Sequence, residues 1–182
     1  TGPGHSILFC AWSVDLELEL VPGETSSQLR NLFRAAAARG VAVFALLNHF
    51  ATRGPMHASF NNVQDSATLA SIPGVECIHD DRLLFVPLVG EPVQVHHQKL
   101  LVVSGSEGLV AFTGGVDVED NRWSYVQDLH IRVRGPAALE LDRVFRERWA
   151  DHGRPRQPPP PIPSAGHGPQ LDNRVSVSRT YP

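Results

Sequence analysis

Short apolar runs separated by a stretch of helical spacing predict alternating strands and helices in the first part of the chain. Residues 7–11 and 41–47 are short and apolar, as expected for buried strands. Between them, apolar residues recur at helical spacing from Leu29 to Ala36, and Gly40 ends the run. A strand, a helix and a second strand joined by a short link predict a parallel strand pair.

The same patterns predict further elements down to residue 149. Strict alternation of apolar and polar residues predicts half-buried strands at residues 15–20 and 129–134. We also expect strands at residues 75–78, 92–103 and 109–113, and helices at residues 63–72 and 136–149. Pro136 suits the first turn of the last helix, because proline there loses no intrahelical hydrogen bond.

A proline-rich stretch divides the chain. Six prolines lie between Pro155 and Pro163, and such a run favours a stiff, extended backbone. We therefore expect a domain over residues 1–152, a linker over residues 153–170 and a strand-like segment over residues 171–182. Because the chain starts at Thr1 and its last segment stops without a turn, we expect it to be a piece of a longer polypeptide.

Composition narrows the classes of function. The 182 residues are 42% hydrophobic and 19% charged, which is typical of a globular protein, and the net charge is −3. That charge argues against a general basic surface for nucleic acid, so such contacts would have to be local. Two cysteines are too few for a disulfide framework or a four-cysteine zinc site. We recognise no signal peptide or transmembrane run, and expect a cytoplasmic or membrane-associated protein.

The candidate chemistry centres on His97 and Lys99. On a strand, residues two apart point to one face, so an imidazole and an ammonium would lie side by side. The imidazole can attack phosphorus or protonate a leaving oxygen, and the ammonium can neutralise phosphoryl oxygens, without a metal or other cofactor. His96 would point to the opposite face, which makes the histidine pair a poor metal site. A surface-facing polar stretch is the alternative to catalysis.

The residues that follow fit the same chemistry. The turn at Gly114 and Gly115 would let backbone N–H groups approach a phosphate. Asp128, at the head of the next predicted strand, could bond the second nitrogen of His97 and fix its tautomer. A tight turn and an ordinary salt-bridge partner are the alternatives for these residues.

These residues resemble the phospholipase D superfamily, which is defined by the pattern His-x-Lys-x4-Asp, the HKD motif. The resemblance extends from residue 4 to residue 150 in order and approximate spacing. At the start of the chain, the stretch 4–13, which ends in Ala11-Trp12-Ser13, is similar to the first helix-to-strand junction of the family. The further segments are His96-His97-Gln98-Lys99, Ala111-Phe112-Thr113-Gly114-Gly115-Val116-Asp117, Asn121-Arg122-Trp123, the stretch 128–136, the stretch 145–149, and Thr180-Tyr181-Pro182, which is similar to the opening of a second half.

The resemblance implies an α/β fold with a mixed, largely parallel sheet sandwiched between helices. It implies two halves that face each other, each giving one histidine and one lysine to a shared site, with a covalent phosphohistidine intermediate. Within it, His97 matches the nucleophile, Lys99 the phosphate-binding lysine and Asp128 the carboxylate that orients the histidine. Gly115 and Asp117 match the glycine-rich phosphate loop. Gly114 lies immediately before Gly115.

Arg122 and Trp123 could border the substrate mouth, with a cation stacked on a ring as the structural alternative. Asp117 fits phosphate binding only if its charge is neutralised, because a carboxylate repels phosphate.

Two departures from the family pattern matter. The motif aspartate is replaced by Ser104, which would face away from His97 on a continuing strand. A single motif also leaves the active site incomplete, so the second half must come from a C-terminal part of the same polypeptide or from a homodimer partner.

We expect one half of a phosphodiesterase that hydrolyses or transfers a phosphatidyl group of a phospholipid. The alternatives are a nuclease or other phosphodiesterase of the same fold, although nucleic acid is disfavoured by the net charge, and a catalytically inactive binding module.

Overall fold

The computed structural model describes residues 2–48, 62–80, 96–119, 127–152 and 158–162. These residues form one six-stranded sheet in the order β3-β2-β1-β4-β5-β6, with three helices. The strands are β1 (Ser6–Ala11), β2 (Ala42–Asn48), β3 (Val75–Asp80), β4 (Leu100–Gly105), β5 (Gly108–Gly114) and β6 (His130–Arg134). The helices are α1 (Leu29–Ala38), α2 (Asn62–Ala70) and α3 (Pro136–Asp151).

The predicted α/β fold with a mixed sheet and helices is confirmed, but the described sheet is parallel only in part. β1, β2 and β3 pair in parallel, and the predicted strand–helix–strand unit is confirmed. β4, β5 and β6 pair antiparallel with their neighbours, including β4 with β1, so three of the five pairings are antiparallel. The physical reason is the short connection between β4 and β5, where Gly105 pairs with Gly108: a hairpin can join only antiparallel strands.

The strand predicted at residues 15–20 is also wrong. The segment forms turns, with single bridges from Val14 to Val118 and from Glu19 to Gln28. The Asp15 side chain accepts a hydrogen bond from the backbone N–H of Glu17 (2.9 Å), which stabilises a turn in place of an extended backbone.

The strand predicted at residues 92–103 begins later than expected, at Leu100. Residues 96–99 lie outside regular secondary structure, and residues 92–95 fall outside the described ranges.

The core has two layers, one on each side of the sheet. Phe9, Val43 and Ala45 face α1 and α2, which pack mainly on β2 and β3. Leu8, Leu46 and other side chains on the opposite side pack against α3, which also covers β4, β5 and β6. On the first side, the part of the sheet formed by β4 and β5 therefore carries apolar side chains that are only half-buried.

α3 begins at Pro136, as the sequence predicts, and one of its arginines holds the proline-rich stretch. The guanidinium of Arg146 donates to the carbonyl oxygens of Pro159 (2.7 Å) and Pro160 (2.8 Å) and pairs with Asp142. Residues 158–162 thus lie against the helix. The rest of the predicted linker and the segment at residues 171–182 lie outside the described residues. In the described part of the chain, the helices fall short of the length and apolarity that a membrane crossing requires.

Candidate active site

His97 and Lys99 meet at one aromatic ring at the carboxyl end of β1. The Trp12 ring directly follows that strand, and its centroid lies 5.0 Å from the centroid of the exposed His97 ring, at an interplanar angle of 70°. The ammonium of Lys99 lies 5.2 Å from the same indole centroid. Both side chains therefore occupy one side of the chain, although residues 96–99 are not part of a strand.

The ammonium of Lys99 is buried in an ion pair. Its Nζ lies 3.0 Å from Oδ2 of Asp117, and the side chains of the two residues are 6% and 1% exposed. The other oxygen of Asp117 accepts hydrogen bonds from the backbone N–H groups of Trp12 and Ser13, each at 3.2 Å. Asp117 thus ties the end of β1 to the lysine.

The hydrogen-bonding capacity of Lys99 is only partly used by these contacts. An ammonium has three N–H donors. One faces Asp117, and a second reaches the backbone carbonyl of His97 at 3.5 Å. The backbone carbonyl of Lys99 accepts from the hydroxyl of Thr113 (3.0 Å), which ties the lysine to β5. The third N–H of the ammonium is not used by these contacts.

His96 lies on the other side of the chain, as the sequence predicts. Its ring is buried, with Nε2 2.9 Å from Sγ of Cys10, and its backbone N–H donates to Oδ1 of Asn48 (2.9 Å). Burial, helped by the positive charge of Arg148, lowers the pKa of His96 to about 3. The imidazole is therefore neutral at physiological pH and packs as a structural group.

Close packing requires glycine at Gly114, the last residue of β5, and at Gly115, which follows it. A methyl group on Gly114 would overlap the carbonyl oxygen of Leu129, and one on Gly115 would overlap the carboxylate of Asp128. The N–H of Gly115 donates to the Leu129 carbonyl (3.0 Å), so it is already engaged. The sequence analysis explains these glycines by the approach of backbone N–H groups to a phosphate, whereas the structure explains them by the close contact with residues 128–130.

The remaining predicted site residues are Asp128, Arg122 and Trp123. Asp128 is exposed, lies over Gly115 and accepts the N–H of Leu129 (2.8 Å). His130, which the sequence does not single out, is half-buried next to them: its Nδ1 accepts the N–H of Val116 (3.3 Å), and burial lowers its pKa. Arg122 and Trp123 lie outside the described residues.

An apolar cavity of about 600 Å³ adjoins the ion pair. Its polar lining comes from Lys99, Asp117, Asp128 and His130, and the rest is mainly apolar. Phe9, Leu101 and Phe112 form one row across β1, β4 and β5 and line this cavity. Lys99 and Asp117 therefore reach the half-buried part of the sheet, whereas His97 and Trp12 are not among the described residues that line the cavity.

Three residues of this arrangement were not predicted from the sequence. Trp12, Asn48 and Asn62 build the frame around His97 and Lys99. Asn62 is fully buried and donates to the carbonyls of both Trp12 and Asn48 (2.7 Å each). One signal in the sequence could have found two of them: Trp12 and Asn48 each follow directly on a buried parallel strand, where the carboxyl ends of neighbouring strands meet.

The described residues contain no group of three or more histidine, cysteine or acidic side chains arranged to hold a metal ion. The chemistry available here is that of an imidazole, an ammonium and a neighbouring carboxylate.

Known proteins share this fold. NucT from Helicobacter pylori superposes with a TM-score of 0.56 at 12% sequence identity, over 80% of this chain and 79% of that protein. Nuc from Salmonella typhimurium, a phospholipase D family member, gives a TM-score of 0.51 at 16% identity, over 84% of this chain and 82% of its own. No family model matches the sequence.

A curated relative matches part of the sequence. Cardiolipin synthase 1 from Bacillus anthracis is 29% identical over 82 residues, which are 42% of this chain and 16% of that protein. The fold of this chain is the phospholipase D fold, and the resemblance predicted from the HKD motif is confirmed at that level.

Proposed function

We propose that the chain is one half of a phospholipase D-type phosphodiesterase. The observation that carries the proposal is the meeting of the His97 ring and the Lys99 ammonium at Trp12, beside an apolar cavity. A nucleophilic imidazole next to a cation is suited to attack on a phosphodiester. The likeness to a phospholipase D family member and to a cardiolipin synthase supports the same class of reaction.

In the proposed reaction, one nitrogen of the neutral His97 ring attacks phosphorus, and the bond from phosphorus to the leaving oxygen breaks. The leaving oxygen takes a proton from an acid of the second half. Water or an alcohol, deprotonated by that group, then attacks the phosphohistidine and breaks its P–N bond, which restores His97. Lys99 stabilises the charge on the non-bridging oxygens in both steps.

We assign Asp117 to holding Lys99, because its carboxylate oxygens already contact that lysine and two backbone N–H groups. Pairing with the ammonium also removes the repulsion that a free carboxylate would exert on phosphate. Asp128 remains our candidate for orienting His97, and Arg122 and Trp123 for bordering the substrate.

The second half is proposed to pack on the half-buried side of β4 and β5. Leu101 and Phe112 lie there next to the cavity that reaches Lys99. One histidine and one lysine account for half of the proposed chemistry, so the missing pair must approach from this side. It belongs to the same polypeptide or to a second copy. NucT and Nuc, which match over similar shares of both chains, favour a unit of this size.

The substrate is proposed to be a phospholipid. The support is the similarity to a protein named cardiolipin synthase and the net charge of −3, which is a poor match for a polyanionic nucleic acid. Hydrolysis and transfer to an alcohol both follow from the same phosphohistidine.

The test uses the full-length polypeptide with EDTA present. Phosphatidylglycerol vesicles, single-stranded DNA and bis(4-nitrophenyl) phosphate are offered in parallel. We expect turnover of the vesicles and of the small diester, and its loss by at least about 10³-fold in His97→Ala. His5→Ala, which removes a histidine bonded only to the N-terminal turn in the described structure, is the matched control. Turnover of DNA alone would identify a nuclease, and undiminished activity in His97→Ala would remove the nucleophile assignment.

A further variant tests the second half. Leu101→Arg places a charge on the proposed packing surface, and Val63→Arg places one on an exposed apolar residue of α2. We expect Leu101→Arg alone to abolish activity and, for a dimer of this chain, to give a monomer by light scattering. Full activity in Leu101→Arg would contradict this packing.

A further inference from the structure

We propose that Trp12 is a positioning residue that holds His97 and Lys99 in register with each other. This inference rests on the proposed function, because it assigns how the two reactive side chains are held. The His-x-Lys motif that points to His97 and Lys99 does not itself include Trp12.

The first argument is the pair of ring contacts. The His97 and Trp12 rings meet edge to face at 5.0 Å, the arrangement that the charge distribution of aromatic rings favours. The Lys99 ammonium is 5.2 Å from the indole centroid, within the range of a cation–π attraction. One indole therefore restrains both partners of the reaction.

The second argument is that the Trp12 backbone is fixed on both sides. Its N–H donates to the buried carboxylate of Asp117 (3.2 Å), and its carbonyl accepts from the buried amide of Asn62 (2.7 Å). Fixed backbone groups on either side of its Cα leave the indole little freedom to move away. Asp117 also pairs with Lys99, so the same carboxylate fixes the lysine and the tryptophan.

The third argument is that the histidine segment is tied to the same amides. Asn62 donates to the carbonyl of Asn48 (2.7 Å), and Oδ1 of Asn48 accepts the N–H of His96, one residue before His97. Both asparagine side chains are almost fully buried. The ends of β1 and β2 and the start of the 96–99 segment are thus joined by hydrogen bonds that water cannot easily replace.

This arrangement matters because the His97 ring is exposed and lies outside a strand. An exposed side chain on an irregular segment would sample several rotamers, whereas nucleophilic attack needs the reacting atoms in one alignment. The indole supplies such a restraint through its contact with one side of the His97 ring.

The experiment measures single-turnover formation of phosphohistidine from bis(4-nitrophenyl) phosphate by the full-length polypeptide. We expect Trp12→Ala to lower the rate about 10²-fold with little change in KM, and Trp12→Phe to recover most of the loss. Phe44→Leu is the matched control, because it removes another edge-to-face pair, with Trp149, on the opposite side of the sheet from the cavity. It should lower the thermal midpoint without changing the rate.

A second readout does not depend on activity. The ring current of Trp12 should displace the NMR resonances of the His97 ring protons, and Trp12→Ala should abolish that displacement. Unchanged His97 resonances, or a rate within about threefold of wild type in Trp12→Ala, would overturn the inference. A wild-type protein that shows the displacement but forms no phosphohistidine would overturn the proposed function and keep the contact.

Discussion

The buried pair of Lys99 and Asp117 is the most informative contact at the scale of single residues. A charge taken out of water is costly unless an opposite charge and hydrogen bonds compensate it. Asp117 is almost completely buried, and its charge is compensated by the Lys99 ammonium at one oxygen and by two backbone N–H groups at the other. Replacing only Lys99 or only Asp117 therefore leaves a buried charge without its counterion, whereas replacing both leaves no buried charge.

We expect Lys99→Met to lower the free energy of unfolding by about 3 kcal/mol, because it leaves the Asp117 carboxylate buried without a cation. Lys99→Met combined with Asp117→Asn should recover most of that loss, since an amide keeps the acceptor for both N–H groups. Urea denaturation gives the free energies. Arg134→Met, which breaks an exposed pair with Glu107, should cost less than about 1 kcal/mol. Equal losses in Lys99→Met and in the double variant would contradict this account.

At the scale of elements, the junction of β5 and β6 determines how closely these two strands approach each other. Gly114 and Gly115 let the chain before β6 lie directly on the end of β5, where any side chain would collide. This approach places Asp128, which precedes β6 by two residues, in the lining of the cavity that Lys99 also lines. The glycines therefore act through the position of the strand, as well as through the turn that the sequence predicts.

We expect Gly114→Ala to cost about 3 kcal/mol and Gly115→Ala about 1 kcal/mol. The first methyl meets a backbone carbonyl that cannot move alone, whereas the second meets the exposed side chain of Asp128, which can rotate. Thermal denaturation followed by circular dichroism checks the order. Gly2→Ala is the control, since its new methyl would come no nearer than 3.8 Å to Arg39. A larger loss for Gly115→Ala than for Gly114→Ala would show that the strand itself is free to shift.

The effect of acid on stability depends on the whole molecule, because the groups around His96 come from β1, the 96–99 segment and α3. His96 is enclosed by Cys10 on one side and feels the charge of Arg148, which pairs with Asp80 at the end of β3. Its pKa is about 3 when folded and near 6.5 when unfolded. Between these values the unfolded chain binds a proton that the folded chain does not.

Stability should therefore fall as the pH drops from about 6.5 towards 3, with His96 contributing about 1.4 kcal/mol per pH unit at most. His96→Gln removes this titration, so its unfolding free energy should fall less steeply over the same interval. Urea denaturation at pH 7, 6, 5 and 4 measures the two slopes, with His5→Gln as the matched histidine control. Parallel curves for wild type and His96→Gln would show that the histidine is protonated in the folded protein.

Taken by itself, the sequence determined most elements, the parallel pair of β1 and β2, the histidine–lysine pair and the opposite orientation of His96. These follow from periodicity and spacing, which are local properties of the chain. It failed at residues 15–20, where the Asp15 side chain favours a turn, and it placed the start of β4 too early.

Only the tertiary structure decided that β4, β5 and β6 run antiparallel, that Asp117 is buried against Lys99, and that Trp12, Asn48 and Asn62 surround the site. The side-chain contacts in this set join residues from 14 to 105 positions apart. Such contacts depend on which strands become neighbours and on which polar groups must find partners once water is excluded, and no local pattern encodes that.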